Sequence, residues 1–339
     1  MFCVLKEGFI YNYAIRKVIM NTLKVGLVLG SGASSGWAHI GAIEALQDAS
    51  IPIHLVAGCS VGAFVGAIFA SGGLEQLKRY VIDMDGESMF SFSDLSFIRS
   101  GLLDGDKKLR ELFCMHSDKK NFDELEIPLK VVAAEMYTGD QVVLDSGDLL
   151  KALRASMSYP GLFAPVYHKS RWLIDGGVVD SVPVGVARAM GADIVIAVSL
   201  DSELVSRRRH QKTEVAPEIT PPPVRNEFLK KLAARYEAVE KTIWKRLERQ
   251  KKKKPTPPGT RQVISAAIQL MQDRITRVNF AVNPPDILIT PRLGDLKMLD
   301  YDQVEHAIEE GYIATRNKVN DIRMLLETHR TEEMETKPV

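Results

Sequence analysis

The pentapeptide Gly58-Cys59-Ser60-Val61-Gly62 is the tightest constraint on the fold of this 339-residue chain. The preceding His54-Leu55-Val56-Ala57 reads as a strand, and the following Ala63-Phe64-Val65-Gly66-Ala67-Ile68-Phe69-Ala70 reads as a buried helix. A strand that turns directly into a helix at a serine holds that serine in strained backbone geometry. Side chains two positions either way would strike the neighbouring elements, which accounts for Gly58 and Gly62. Such an elbow lifts a hydroxyl clear of the sheet edge, where it can act as a nucleophile. The bland reading of Ser60 is a small residue at a tight strand-helix junction.

Two further segments favour the chemical reading. Lys24-Val25-Gly26-Leu27-Val28-Leu29 is an apolar strand running into Gly30-Ser31-Gly32-Ala33-Ser34-Ser35-Gly36, with a helical pattern from Trp37 to Ala49. A loop of small residues opening a helix presents backbone N–H groups and the positive end of a helix dipole, and so makes an anion site. Farther along, Trp172-Leu173-Ile174-Asp175-Gly176-Gly177 ends an apolar strand on an acid followed by two glycines. An acid so placed can take the proton of a serine hydroxyl if the fold brings the two together. Taken alone, Asp175 is also a good first residue of a simple turn.

Strand, Gly-rich loop, helix, strand, G-x-S-x-G, helix and a distant D-G-G is an order that resembles the patatin-like phospholipases, in particular the bacterial esterases related to the neuropathy target esterase. The resemblance runs from about Lys24 to Leu200 and more weakly to Val319. It includes Ala38-His39-Ile40-Gly41, Arg154-Ala155-Ser156, Pro160-Gly161-Leu162-Phe163-Ala164-Pro165 and Val182-Pro183-Val184. It implies a three-layer α/β/α fold and a serine ester hydrolase acting on phospholipid or lysophospholipid acyl esters. Carried over position by position, Ser60 is the nucleophile and Asp175 the base, with Gly176 and Gly177 completing the D-G-G motif. Gly58 and Gly62 form the elbow, and the N–H groups of Gly32 and Ala33, joined by Ser31, form the oxyanion loop. No histidine, metal or cofactor is implied.

The loop departs from the family pattern. Ser31 and Ala33 replace glycines, and Ser35 occupies a position that usually carries arginine or lysine. Because the working atoms are backbone N–H groups, the first two changes are tolerable. The missing cation predicts that Ser35→Arg raises turnover, and it keeps open an alternative in which the protein is a weak or inactive binding or regulatory relative. The same loop resembles the cofactor loop of short-chain dehydrogenases. That reading is weaker, because Ala38 stands where the last glycine belongs and no Tyr-x-x-x-Lys follows the loop. A histidine triad using His210 or His306 is the other mechanistic alternative. His39 is expected to pack beneath the loop and Cys59 to be a small apolar neighbour of the nucleophile.

Candidate strands at Val25–Leu29, Ile53–Ala57, Leu129–Ala134, Gln141–Leu144, Trp172–Asp175 and Ile194–Ser199 alternate with helical segments, the pattern of a mostly parallel, helix-covered sheet. The organisation expected is an extension over 1–23, a catalytic core over 24–204, a basic insert over 205–261, a C-terminal part of the same domain over 262–325 and a polar tail over 326–339. Residues 85–123 read as a cap, or as cover for the core. The three cysteines, Cys3, Cys59 and Cys114, are too few for a disulfide scaffold and point to a reducing, cytoplasmic setting. No apolar run reaches the roughly 20 residues of a membrane span. The first 23 residues lack the uninterrupted apolar core of a signal peptide, and Met20 is a candidate true start.

Within 205–261, 17 Lys and Arg face 6 acids. The insert therefore carries about +11 and the remainder about −10, an asymmetry hidden in the net +1. Residues 225–254 place Phe228, Leu232, Tyr236, Val239, Ile243 and Leu247 at helical spacing among lysines and arginines. An amphipathic basic helix of this kind can lie on an anionic membrane or pack on the domain. Nothing resembles a nucleic-acid recognition module.

Overall fold

The structure, a computed structural model, describes residues 23–83, 105–200, 259–293 and 303–336. The N-terminal extension, most of the basic insert with its amphipathic segment, His210 and the first part of the cap lie outside the described residues.

One eight-stranded sheet organises the chain. Its strands are β1 (Val25–Leu29), β2 (Leu55–Cys59), β3 (Leu129–Glu135), β4 (Gln141–Leu144), β5 (Val166–His168), β6 (Arg171–Asp175), β7 (Ile194–Val198) and β8 (Ile287–Ile289). They lie in the order β5-β6-β3-β2-β1-β7-β8, with β4 also paired to β3. The pairs β1–β2, β1–β7, β2–β3 and β7–β8 are parallel, while β3–β4, β3–β6 and β5–β6 are antiparallel. Strands β1, β2 and β7 are buried along their whole length, as continuous apolar runs require when helices cover both faces. Along β1, Val25, Leu27 and Leu29 enter one core and Val28 the other, the two-residue period of a strand.

The larger core lies under helices α1 (Ala38–Asp48), α2 (Val61–Ala70), α3 (Leu74–Asp83), α4 (Asp106–Cys114) and α5 (Leu149–Ser156). The smaller core, on the opposite face, is covered by α6 (Val184–Ala189), with Phe280 of α7 (Thr260–Val282) at its margin. Helices α8 (Val304–Arg316) and α9 (Val319–Thr336) return to the first face. There α1 and α8 cross with their backbones in contact. A Cβ on Gly41 would strike the Ile308 carbonyl, and one on Gly311 the Ala38 carbonyl, so the Ala38–Gly41 phrase is a helix-packing device.

Six strands fall close to their expected positions, and the differences have local causes. Strand β2 starts at Leu55 rather than Ile53, because His54 Nδ1 accepts from Val25 N at 3.0 Å and serves the start of β1. It then runs on through Gly58 and Cys59 to the elbow. The loop helix opens earlier than expected, as a 3-10 turn over Ala33–Trp37 leading into α1. Strands β5 and β8 are unanticipated. Each has three residues, too few for alternation to register. The β5–β6 hairpin turns through Lys169 (φ 45°) and Ser170 (φ 64°), left-handed positions where a sequence signal would have been Asn-Gly.

Candidate active site

Ser60 sits between β2 and α2 at φ 54°, ψ −124°, a left-handed conformation that costs a non-glycine residue on the order of 1–3 kcal/mol. Its neighbours permit it. A Cβ on Gly62 would overlap the carbonyls of Leu29 and Gly30, and one on Gly58 would lie 2.6 Å from Ala63 Cα. Ser60 is the N-cap residue of α2, yet its hydroxyl does not cap the helix. It donates instead to Asp175 Oδ2 at 2.6 Å. The N-terminal dipole of α2 therefore remains directed at the serine, where it favours negative charge.

Strand register brings the two together. Cys59 pairs with Val132 of β3, and Asp175 pairs with Ala133 of the same strand from the opposite side. Ser60 and Asp175 thus flank β3 at adjacent levels, although 115 positions separate them in sequence. Asp175 is buried and held at both ends. Its Oδ1 accepts from Gly177 N at 2.8 Å, and its own N–H donates to Ser158 O at 3.0 Å. Gly176 passes so close over the Val132 carbonyl that a Cβ there would collide with it.

The Arg154–Ser158 segment supports both residues. Ser156 Oγ accepts from Ser60 N at 2.8 Å and donates to Val132 O at 2.6 Å, while Ser158 O takes the Asp175 N–H. Arg154, itself buried, fixes this segment through Ser158 Oγ (2.7 Å) and Ala164 O (3.1 Å) and lies over the Phe163 ring. In sequence Arg154-Ala155-Ser156 stood out only as a phrase, since small serines carry no chemical signature of their own.

The Gly-rich loop closes the other side. Ser31 N donates to Ser181 O at 2.9 Å, so the Ser31 backbone is unavailable as an oxyanion donor, contrary to the sequence expectation. Its Oγ meets Ser181 Oγ at 2.5 Å. The N–H groups of Gly32 and Ala33 make no hydrogen bond among the described residues, and Ala33 takes φ 51°. His39 is fully buried beneath the loop, with Nε2 2.7 Å from Gly30 O. Burial pushes its pKa down to about 4, the Gly30 contact opposing. Ser35 is 3% exposed. An arginine there would enter packed surroundings, so the expected gain from Ser35→Arg gives way to a loss of stability. Cys59 is buried.

One group that the sequence did not mark joins the site from α7. Gln272 is 6% exposed, and its amide nitrogen lies beside the D-G-G turn. A Cβ built on Gly177 would strike Gln272 Nε2 and stand 3.0 Å from Asp175 Oδ1 and 3.2 Å from Ser31 Oγ. These three polar atoms therefore converge on one glycine. Asn279, two turns along, anchors the helix to the chain after D-G-G, donating to Val179 O (3.3 Å) and Asp180 Oδ1 (3.1 Å). Burial raises the pKa of Asp180, opposed by its bonds from Asn279 and Gln141. His306 is exposed on α8, and Ser60 reaches Asp175 without it. Among the described residues no group of His, Cys, Asp and Glu could hold a metal ion, and no helix is long and apolar enough to cross a membrane. A groove of about 820 Å³ lined by Glu44, Asp48, Glu75, Glu305 and Glu309 contains neither Ser60 nor Asp175.

The family described as patatin-like phospholipase matches residues 27–188. This chain carries a patatin-like phospholipase domain. Its mostly parallel sheet flanked by helices is the patatin fold, and the dinucleotide reading of the loop is set aside. An uncharacterized NTE family protein of Mycobacterium bovis is 27% identical over 326 residues, spanning 85% of this chain and 89% of that protein. Patatin-like phospholipase domain-containing protein 6 of Homo sapiens is 31% identical over 185 residues, 53% of this chain but 13% of that protein. A lysophospholipase of Aspergillus fumigatus is 31% identical over 184 residues, 52% of this chain and 12% of the other. The patatin-like match ends ten residues before β7 is complete, and α7 with Gln272 lies wholly beyond it.

Proposed function

We propose that this protein hydrolyses carboxylic esters of lipids, phospholipid or lysophospholipid acyl esters, through a Ser60–Asp175 dyad. The observation that carries this reading is the 2.6 Å hydrogen bond from the strained Ser60 hydroxyl to a buried carboxylate oxygen. The patatin-like match and the lysophospholipase name of one relative support the substrate class.

As Ser60 Oγ bonds to the ester carbonyl carbon, its proton passes to Asp175 Oδ2 and the carbonyl π electrons move to oxygen. The N–H groups of Gly32 and Ala33, together with the α2 dipole, hold that oxyanion; a single donor of this kind is worth about 3 kcal/mol of barrier. Collapse breaks the bond to the alcohol, which leaves with the proton from Asp175, and Ser60 remains acylated. Water then attacks the acyl-enzyme with Asp175 as base, releases the fatty acid and restores the Ser60 hydroxyl. A carboxylate is a weak base, so the scheme relies on the bond being formed before reaction and on oxyanion stabilisation.

A fluorophosphonate probe tests this directly. Wild-type protein should be labelled on Ser60, located by mass spectrometry, and Ser60→Ala should not. A folded wild type that takes no label, and turns over no member of a lysophospholipid and phospholipid panel, would refute the hydrolase reading and favour a binding or regulatory relative.

A further inference from the structure

Helix α7 is amphipathic in the reverse sense. Its inner face carries Gln272, Asp273 and Thr276, all buried, with Asn279 bonded to the chain beside the D-G-G turn. Its outer face carries Val263, Ile264, Leu270, Met271, Val278 and Val282, between 42% and 73% exposed. These are six of the sixteen exposed large hydrophobics among the described residues, concentrated on one 23-residue element. At 3.6 residues per turn they fall on one broad stripe rather than scattering. A surface helix normally turns such a stripe inward, and a contiguous exposed one marks a surface that meets something apolar.

Charge decides what that something is. Arg274 projects from the same face, exposed, with no ion pair or hydrogen bond among the described residues. Arg277 at its edge is 62% exposed and pairs with Asp273. The sequence leading into the helix carries 17 basic and 6 acidic residues over 205–261. A second copy docking face to face would set Arg274 near its own symmetry mate, which disfavours that occupant. An anionic lipid surface satisfies both features: the apolar side chains enter the acyl boundary, and the guanidinium reaches back to the phosphates.

We propose that the outer face of α7 is the surface by which the protein seats on anionic lipid. This rests on the lipid-ester reading above and adds to it a site of contact outside the patatin-like match. Because the inner face of the same helix abuts Gly177 through Gln272, seating α7 on a bilayer brings the D-G-G turn within one helix diameter, about 10 Å, of the lipid.

The test uses the full chain, with vesicles of phosphatidylcholine alone and of phosphatidylcholine mixed with phosphatidylserine. The double variant Leu270→Glu/Val278→Glu alters only exposed positions. It should lower partitioning onto the mixed vesicles, and turnover of an ester presented in them, by roughly tenfold or more. Fluorophosphonate labelling and hydrolysis of a short water-soluble ester should stay at wild-type rates. Arg274→Ala should weaken binding to the mixed vesicles and leave the weak binding to phosphatidylcholine unchanged. The proposal fails if wild type does not partition onto mixed vesicles, or if the double variant partitions as wild type does. It also fails if light scattering finds a concentration-dependent dimer that the double variant abolishes, which would assign the face to a second copy. Loss of labelling in wild type with α7-dependent vesicle binding intact would refute the hydrolase and leave the docking surface standing.

Discussion

Ser156→Ala removes one buried hydroxyl and should weaken both the fold and the proposed nucleophile Ser60. Ser156 Oγ accepts from Ser60 N at 2.8 Å and donates to Val132 O at 2.6 Å, and the residue is fully buried. Alanine leaves the part-buried Ser60 N–H and the buried Val132 carbonyl without these partners, and each such loss costs roughly 1–3 kcal/mol. Allowing for relaxation at the end of α5, the expected destabilisation is about 2–4 kcal/mol, or roughly 5–10 °C in Tm for a domain of this size. The Ser60 N–H bond also opposes relaxation of the strained φ 54°. Losing it should slow fluorophosphonate labelling about 10- to 100-fold, the equivalent of about 1.4–2.8 kcal/mol in the barrier. Urea unfolding and labelling rate are measured on the same preparations. Ser156→Thr, which keeps the hydroxyl, should label faster than Ser156→Ala whatever its methyl costs in stability. A Ser156→Ala protein within about 0.5 kcal/mol of wild type and labelled at the wild-type rate would show that the Ser156 bridge does not hold the elbow.

Asp175→Asn should keep the fold, because an amide oxygen can still accept from Gly177 N, and should lower labelling and turnover by about 10²–10⁴; near-normal turnover would remove Asp175 from the mechanism. His39 gives a pH prediction. Its folded pKa of about 4 lies below the model-peptide 6.5, so the unfolded chain binds the extra proton and stability falls as pH drops below 6.5. The loss is about 2 kcal/mol at pH 5 and levels off near 3 kcal/mol below pH 4. His39→Gln should unfold in urea with that part of the pH slope removed; an unchanged slope would mean that other groups set it. Gln272→Met replaces an amide beside the D-G-G turn by an apolar side chain of similar size. It should lower turnover in a protein that stays folded, and a variant as active as wild type would make Gln272 a passive neighbour of the dyad.

Chemistry whose residues sit within a short stretch was legible in the chain. The elbow needs small residues two positions either side of Ser60, the loop needs backbone rather than side chains, and D-G-G needs an acid at a strand end. Each requirement is met within a few consecutive residues, so residue types alone disclose it. The central strands were readable for the same reason: burial on both faces demands unbroken apolar runs, and β1, β2 and β7 supply them.

Tertiary structure decided what depends on distance across the chain. Only the register of β2 and β6 against β3 sets Asp175 beside Ser60. Only the fold turns the Ser31 N–H toward Ser181 and leaves the Gly32 and Ala33 N–H groups without a partner among the described residues. Ser156, Ser158 and Gln272 gained their places from contacts 17 to 96 residues away, and a serine or glutamine looks the same in sequence whether it braces an elbow or faces water. Helix α7 was not singled out in the sequence, and helical spacing of its apolar residues would not in any case say which face is covered. Anchoring of its polar face to the D-G-G turn decides that the apolar face looks outward.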